Sequence, residues 1–246
     1  MSAANYKPSL SLVLAHEGGF VHHKLDPGGA TNKGVTQKVY DSYRAVKGLK
    51  SQTVRLISNI EVEEIYRTNY WRLVRGDNLP AGVDYCVFDF AVNSGVSRSV
   101  RYLQRVVGVN DDAIIGDMTL EAVYNMARKN EEGLIATLCA NRLIFLKSLN
   151  TFPTFGKGWT RRVIGLQAGV QREDSGVIDY AIKMARADPI YSMPAAVGSL
   201  IGELPSKAVA PLLSNWPSAR PTDVKGLKAL IGSLNIDLER LLKAIP

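Results

Sequence analysis

Apolar side chains recur at intervals of three and four residues through most of the chain, which is the periodicity of an amphipathic helix. In the first such segment Tyr6, Leu10 and Val13 share one face with Glu17. Two glycines follow Glu17 and predict the end of this helix. The pattern therefore places the Glu17 carboxylate in the last turn of a helix, on its apolar side.

The same periodicity predicts further helices. Ser58 and Glu61 have the spacing of a capping box, which starts one of them. Between Phe20 and Val35, the glycines, the proline and the polar residues predict turns and a short hairpin. Because no stretch alternates convincingly with period two, we predict a mainly α fold. The predicted helices cover residues 36–47, 58–71, 83–94, 98–107, 119–128 and 134–149.

The end of the chain has a different composition. From about residue 170 onward, six prolines at positions 189, 194, 205, 211, 217 and 221 interrupt short apolar segments. A final amphipathic helix is predicted over residues 227–244. We interpret residues 171–246 as a Pro-rich helical C-terminal extension, and we find no internal repeat and no low-complexity tract.

Length and composition are those of a globular protein. The 246 residues can form one substantial core, and 46% of them are hydrophobic while 22% are charged. No run approaches the roughly 18 uninterrupted apolar residues of a membrane span, so we expect no integral membrane segment. The N-terminus has one lysine and a short apolar stretch without a small-residue cleavage site, and we therefore predict no classical signal peptide.

The two cysteines and the net charge restrict the possible functions only slightly. Cys86 and Cys139 lie in apolar, helix-like segments, which favours free buried thiols over a disulfide. A net charge of +7 favours an anionic partner, such as nucleic acid, a membrane surface or a cell wall, although a solvated basic surface is an equal alternative. No segment interleaves basic and aromatic residues densely, so we expect no nucleic-acid partner.

The segment HEGGFVHHKLDPGGATNKGVT, residues 16–36, carries the candidate chemistry. Glu17 precedes two residues without side chains, so it can lose its hydration while a polymer approaches closely. Desolvation favours the protonated form of a carboxylic acid, which suits a general acid. Asp26 lies in a polar turn, where we expect it to stay ionised, and Thr31 could hold an attacking water. Two carboxylates in opposite environments are what glycoside hydrolysis requires.

Two other interpretations of this segment stay open. A glutamate before two glycines is often only a helix-end residue, and Asp-Pro-Gly-Gly is a common turn. Alternatively, His16, His22, His23 and Asp26 are zinc-ligand types. Adjacent His22 and His23 would point to opposite faces of an extended strand, and no later motif completes a ligand set. We therefore favour a site without a metal.

The motifs HEGGF and DPGGATNKGVT resemble the opening signature of the glycoside hydrolase family 108 muramidases, which include phage endolysins and bacterial secretion activator proteins. The segments FDFAVNSGVSRSVRYLQRVVGVNDDAIIGDMTLEAV, CANRLIFLKSL and FGKGWTRRV resemble the peptidoglycan-binding segment of this family. The resemblance covers about residues 9–167. It implies a two-lobed, lysozyme-like helical fold, in which a catalytic segment, 1–80, packs as one unit with a helical peptidoglycan-binding segment, 81–170.

The resemblance also implies an activity. It implies cleavage of the β-1,4 bond between N-acetylmuramic acid and N-acetylglucosamine by general acid catalysis at Glu17, assisted by Asp26 and Thr31, without a cofactor. Several side chains are of types that stack on sugars or bind acetamido and lactyl groups, and each is alternatively a core or surface residue. These candidates are Asn32, Tyr70, Trp71, Asn93, Arg98, Trp159, Arg161 and Arg162.

The expected partner is bacterial peptidoglycan, either in cell lysis or in wall remodelling that supports secretion. A competing hypothesis is a weak or inactive peptidoglycan-binding protein that recruits or organises a secretion apparatus, with residues 171–246 as its docking segment. We expect a monomer that is made in the cytoplasm and acts at the periplasmic cell wall.

Overall fold

The computed structural model describes residues 5–21, 29–165 and 175–187. A mainly α fold is confirmed, with one hairpin of strands β1 (Thr31–Asn32) and β2 (Val35–Thr36) in these ranges. The helices are α1 (Tyr6–Leu14), α2 (Gln37–Val46), α3 (Asn59–Tyr66), α4 (Val83–Ser94), α5 (Val96–Val107), α6 (Asp117–Lys147), α7 (Phe152–Ile164) and α8 (Val177–Ala187).

The first helix ends earlier than its sequence pattern predicts. α1 closes at Leu14, and the backbone N–H groups of His16 and Glu17 then donate to the carbonyls of Val13 and Leu14 at 3.1 Å each. Bonds to the third preceding residue tighten the chain at a helix end. Glu17 therefore stands in the turn that follows α1, with its backbone still held by the helix.

The predicted hairpin is present over residues 31–36. Its strands pair Thr31 with Thr36, and the two loop residues, Lys33 and Gly34, have φ angles of 50° and 74°. Positive φ at both central residues matches the type I′ turn, whose twist suits a two-residue hairpin. Thr36 then caps α2, since its hydroxyl accepts from the Val39 N–H at 3.3 Å.

Helix α4 is the centre of the core. Nine consecutive residues, 83–91, are buried, and α1, α5, α6 and α8 pack around the helix. Trp71 lies beside it, with its ring 5.3 Å from both Tyr6 and Phe88, and its indole N–H donates to Asp77 at 2.8 Å. These aromatic contacts tie α4 to the N-terminal half of the fold.

The helices after α4 differ in detail from the predicted ones. α6 joins two predicted helices across a bend at Asn130, whose side chain accepts from the Gly133 N–H at 2.8 Å and so caps the second half. α7 was missed by sequence reasoning, because Gly156 and Gly158 lower its helix propensity. The capping box predicted at Ser58 is confirmed.

Part of the predicted C-terminal extension belongs to the core. The apolar face of α8, with Val177, Ala181 and Ala185 buried, packs on α4 and α6. The final helix predicted over 227–244 lies outside the described residues. Cys86 and Cys139 are free and buried, as predicted, with their sulfurs 3.8 Å apart. In the three described ranges, no helix is long and apolar enough to cross a membrane.

Candidate active site

The carboxylate of Glu17 lies against the turn of the hairpin. A methyl group built on Gly34 would lie 3.0 Å from Glu17 Oε2 and would overlap the Tyr66 hydroxyl oxygen. The same hydroxyl donates to the Lys33 carbonyl at 3.1 Å. The hairpin backbone thus approaches the carboxylate with no side chain between them, which a glycine at position 34 permits.

A guanidinium from a residue far away in the sequence contacts the same carboxylate. Arg162, on α7, places Nη1 3.8 Å from Glu17 Oε1. The Arg162 side chain is 11% exposed, whereas that of Glu17 is 27% exposed. Glu17 is therefore shielded by protein on part of its surface and open to solvent, and so to a ligand, on the rest.

A buried carboxylate anchors Arg162. Asp89, on α4, has no exposed side-chain surface and accepts from Arg162 Nε at 3.1 and 3.2 Å and from Nη2 at 2.8 Å. Arg142, on α6, also donates to Asp89 at 2.6 Å. Burial by itself would raise the pKa of Asp89, but the two guanidiniums offset this and hold that pKa below its usual value. The anchor is thus ionised, and it fixes Arg162 beside Glu17.

Two tyrosines and a histidine also lie near Glu17. The rings of Tyr66 and Tyr70 are 5.5 Å apart, and burial together with the Glu17 carboxylate raises the pKa of both hydroxyls. Desolvation and then the Arg162 guanidinium lower the pKa of His16. At neutral pH these three groups are therefore uncharged, whereas Arg162, which forms an ion pair with Glu17, is charged.

Comparison with known proteins shows two matched segments and similar solved structures. Residues 10–95 match the model of the Glycosyl hydrolase 108 family, and residues 98–164 match that of the "Predicted Peptidoglycan domain". The solved structure of Brucella abortus SagA is 42% identical, covers 75% of this chain and 97% of its own, and has a TM-score of 0.60. This chain belongs to the glycosyl hydrolase 108 family.

As a member of that family, the chain is a glycoside hydrolase of the muramidase type, and its second matched segment identifies peptidoglycan as a partner. The lysozyme-like helical fold implied by the resemblance is confirmed. Both matched segments contribute to the site, because Glu17 lies in the first and Arg162 in the second. The comparison with curated proteins gives no match.

The structure brings some predicted binding residues to this candidate site. Tyr70 lies close enough to Glu17 that the carboxylate, in addition to burial, raises the pKa of the Tyr70 hydroxyl. Trp159 lies on α7, one turn before Arg162, and is half-buried against Phe152 and Phe155 with ring centroids 6.3 and 5.7 Å away. Arg161 is exposed on the same helix and lies near His16, whose pKa it helps to lower.

Other predicted residues lie elsewhere. Trp71 is completely buried in the core, which corrects the expectation that its face is available to a sugar. Asn32 is also buried, and its amide donates to the carbonyls of Val54 and Arg55 at 3.2 Å each, which is a role in holding the hairpin. Asn93 is exposed near the end of α4 and accepts from the neighbouring Ser94 hydroxyl.

The structure does not test the roles expected of Asp26 and Thr31, which therefore stay predictions. Thr31 lies in β1, and its backbone pairs with Val21 at 2.8 and 2.9 Å. Asp26 lies outside the described residues, as do His22 and His23, so the second carboxylate and the zinc alternative stay hypotheses. Among the residues that the structure describes, no group of three His, Cys, Asp or Glu side chains comes together.

Sequence reasoning missed the anchoring network behind Glu17. Asp89 and Arg142 are charged residues inside apolar helical segments, VFDFAV and CANRLIFL. Charged side chains are almost never fully buried unless they are paired, so their presence there was the available signal. What the pattern did not indicate is that the two residues meet each other and Arg162.

Proposed function

We propose that this chain hydrolyses the β-1,4 bond between N-acetylmuramic acid and N-acetylglucosamine in peptidoglycan, with Glu17 as the general acid. The position of Glu17, beside the Gly34 turn and the anchored Arg162, is the observation that carries the proposal. Gly18 and Gly19 follow it on the surface, and side chains built there would meet no atom within 4 Å. A polymer can therefore approach the carboxylate closely.

In the proposed reaction Glu17 donates its proton to the glycosidic oxygen as the bond to the sugar carbon breaks. Water then attacks that carbon. Asp26 would activate this water or stabilise the positive charge, and Thr31 would hold the water. Arg162 is placed to stabilise the Glu17 carboxylate that remains after proton transfer, and Asp89 balances the charge of Arg162. The proposed site is the periplasmic cell wall, and the active species a monomer.

Product analysis of purified peptidoglycan tests this proposal. Wild type should release fragments with reducing N-acetylmuramic acid ends, with and without a chelator, while folded Glu17→Gln should be slower by about 10² to 10⁴, the usual contribution of a general acid. Release of N-acetylglucosamine reducing ends would contradict the bond assignment. Equal rates for wild type and variant would remove Glu17 from the mechanism.

The matched peptidoglycan segment also favours a second candidate, a binding protein that supports secretion. Folded wild type that binds purified sacculi without releasing fragments would favour it. Because α8 packs on the core, a truncation that tests the docking role should begin after residue 187. If this shortened chain localises as wild type does, and circular dichroism shows that its helical content is intact, the extension has no role in targeting.

A further inference from the structure

Helix α7 carries an aromatic face that the proposed chemistry does not use. Phe155, Gly158, Trp159 and Arg162 are spaced three and four residues apart, so they lie within an arc of about 100° on one side of the helix. The rings of Phe155 and Trp159 are 5.7 Å apart and tilted by 33°. This set is called the α7 face below.

Phe155 is unusual among the phenylalanines of this protein. All six lie within the described residues, and Phe155 is the most exposed, at 54% of its surface. An exposed aromatic ring next to a half-buried one is an arrangement that ligand sites use, since the ring adds apolar contact area at small cost in conformational entropy.

The α7 face is continuous with the candidate active site. Its C-terminal member, Arg162, lies 3.8 Å from Glu17. Phe155 lies seven residues earlier, which is about 10 Å along the helix axis. Between them a side chain built on Gly158 would meet no atom within 4 Å, so the backbone there is open to a ligand. A surface therefore leads from the general acid to Phe155.

We propose that Phe155 and Trp159 form a saccharide subsite, which binds the β-1,4-linked amino-sugar strand beyond the bond that is cleaved. This inference rests on the proposed function at Glu17 and deepens it. The apolar faces of pyranose rings pack on the two aromatic rings, and the bare backbone at Gly158 lets the strand lie close to the helix. Phe155 touches no reacting atom and acts by binding.

The test measures saccharide binding by full-length protein that carries Glu17→Gln, so that turnover is slow compared with the measurement. The probe is the β-1,4-linked hexamer of N-acetylglucosamine, followed by calorimetry. In this background Phe155→Ala should raise Kd about three- to tenfold, the loss of one aromatic contact. Phe155→Tyr, which keeps the ring, should restore binding, whereas Phe155→Leu, which keeps only apolar bulk, should not. Met118→Ala, at a side chain 79% exposed on α6, is the control and should bind as the parent does.

Three results of the binding test would overturn the inference. They are equal Kd values for Phe155→Ala and its parent, full rescue by leucine, and no binding of the probe by the parent. A change of oligomeric state in Phe155→Ala, measured by light scattering, would instead assign the α7 face to contact between copies and would also overturn it.

A second assay separates this inference from the proposed function. It measures peptidoglycan turnover by Phe155→Ala and by wild type, both of which keep Glu17. Phe155→Ala should raise KM about as much as it raises Kd, with kcat unchanged. If turnover does not depend on Phe155, the proposed hydrolase activity stands and the proposed subsite is wrong. If binding depends on Phe155 but wild type shows no turnover, the subsite stands and the proposed hydrolase activity is wrong. The protein would then only bind peptidoglycan.

Discussion

At the scale of single residues, the site depends on how closely the hairpin backbone approaches Glu17. Gly34 has φ of 74°, and its hydrogen faces the Tyr66 hydroxyl and the Glu17 carboxylate. Gly29 has a similar φ of 72°, but a side chain there would meet no atom within 4 Å. A side chain at either position strains the backbone, but only a side chain at position 34 also crowds the carboxylate. Comparing the two substitutions therefore separates these effects.

We predict that Gly34→Ala lowers both activity and stability, whereas Gly29→Ala lowers only stability, by about 1 kcal/mol. The Gly34 side chain must displace Tyr66 or Glu17, and misplacement by about 1 Å at a catalytic group can cost on the order of 100-fold in rate. Urea unfolding and peptidoglycan turnover check both variants. Equal turnover in the two would show that the hairpin does not position Glu17.

Arg162 is the second residue on which Glu17 depends. We predict that Arg162→Gln lowers kcat about tenfold, since the variant loses a charge 3.8 Å from the carboxylate, an electrostatic interaction of about 1 to 4 kcal/mol at this distance. Since Arg162 also lowers the pKa of His16, the variant should raise that pKa toward the ordinary value near 6.5. Nuclear magnetic resonance titration of His16 measures this shift, and an unchanged His16 pKa would show that Arg162 does not lie near His16 in solution.

At the scale of elements, α8 is held against the start of α4 at Gly82. A side chain built on Gly82 would overlap the carbonyl oxygen of Ala181, a backbone atom of α8 that has little freedom to move. Gly108, at the end of α5, has a comparable positive φ and open space around it. These glycines form a second matched pair.

We predict that Gly82→Ala reduces the free energy of unfolding by about 2 to 4 kcal/mol, the sum of backbone strain and overpacking. Gly108→Ala should lose only about 1 kcal/mol, since it carries strain alone. Urea denaturation of both proteins gives the two values. If they are equal, α8 does not pack on α4 in solution.

At the scale of the whole molecule, one buried ion network joins four helical regions. Asp89 on α4 binds Arg142 on α6 and Arg162 on α7, and Arg162 reaches Glu17 after α1. The pKa of Asp89 is lower in the folded protein than in the unfolded chain. Its ionisation therefore stabilises the fold above its unfolded pKa, near 3.9, and this contribution is lost as the pH falls through the lower folded value.

We predict that wild type loses stability as the pH falls below about 4, and that Asp89→Asn lacks this part of the dependence. At pH 7 the variant leaves two buried guanidiniums without their carboxylate, which costs about 3 to 5 kcal/mol. Asp117→Asn, at an exposed carboxylate, is the control. Urea unfolding at a series of pH values measures all three proteins, and parallel curves for wild type and Asp89→Asn would contradict the prediction.

The local pattern of the sequence determined most of the helical segments and where many of them end. The bounds of α4, the capping box at Ser58, the hairpin near Thr31 and the free state of Cys86 and Cys139 all follow from short-range periodicity, turn residues and apolar context. The motif around Glu17 also identified the family. These features are local, because each depends on residues within a few positions in the chain.

Only the tertiary structure decided which side chains meet. It turned the glycine-containing α7 segment into a helix, because burial of Val163 against the core outweighs weak propensity. It placed Trp71 in the core and brought Arg162 to Glu17 through Asp89. Such contacts join residues far apart in the chain, and they depend on how whole helices pack together, which the periodicity of any single helix does not encode.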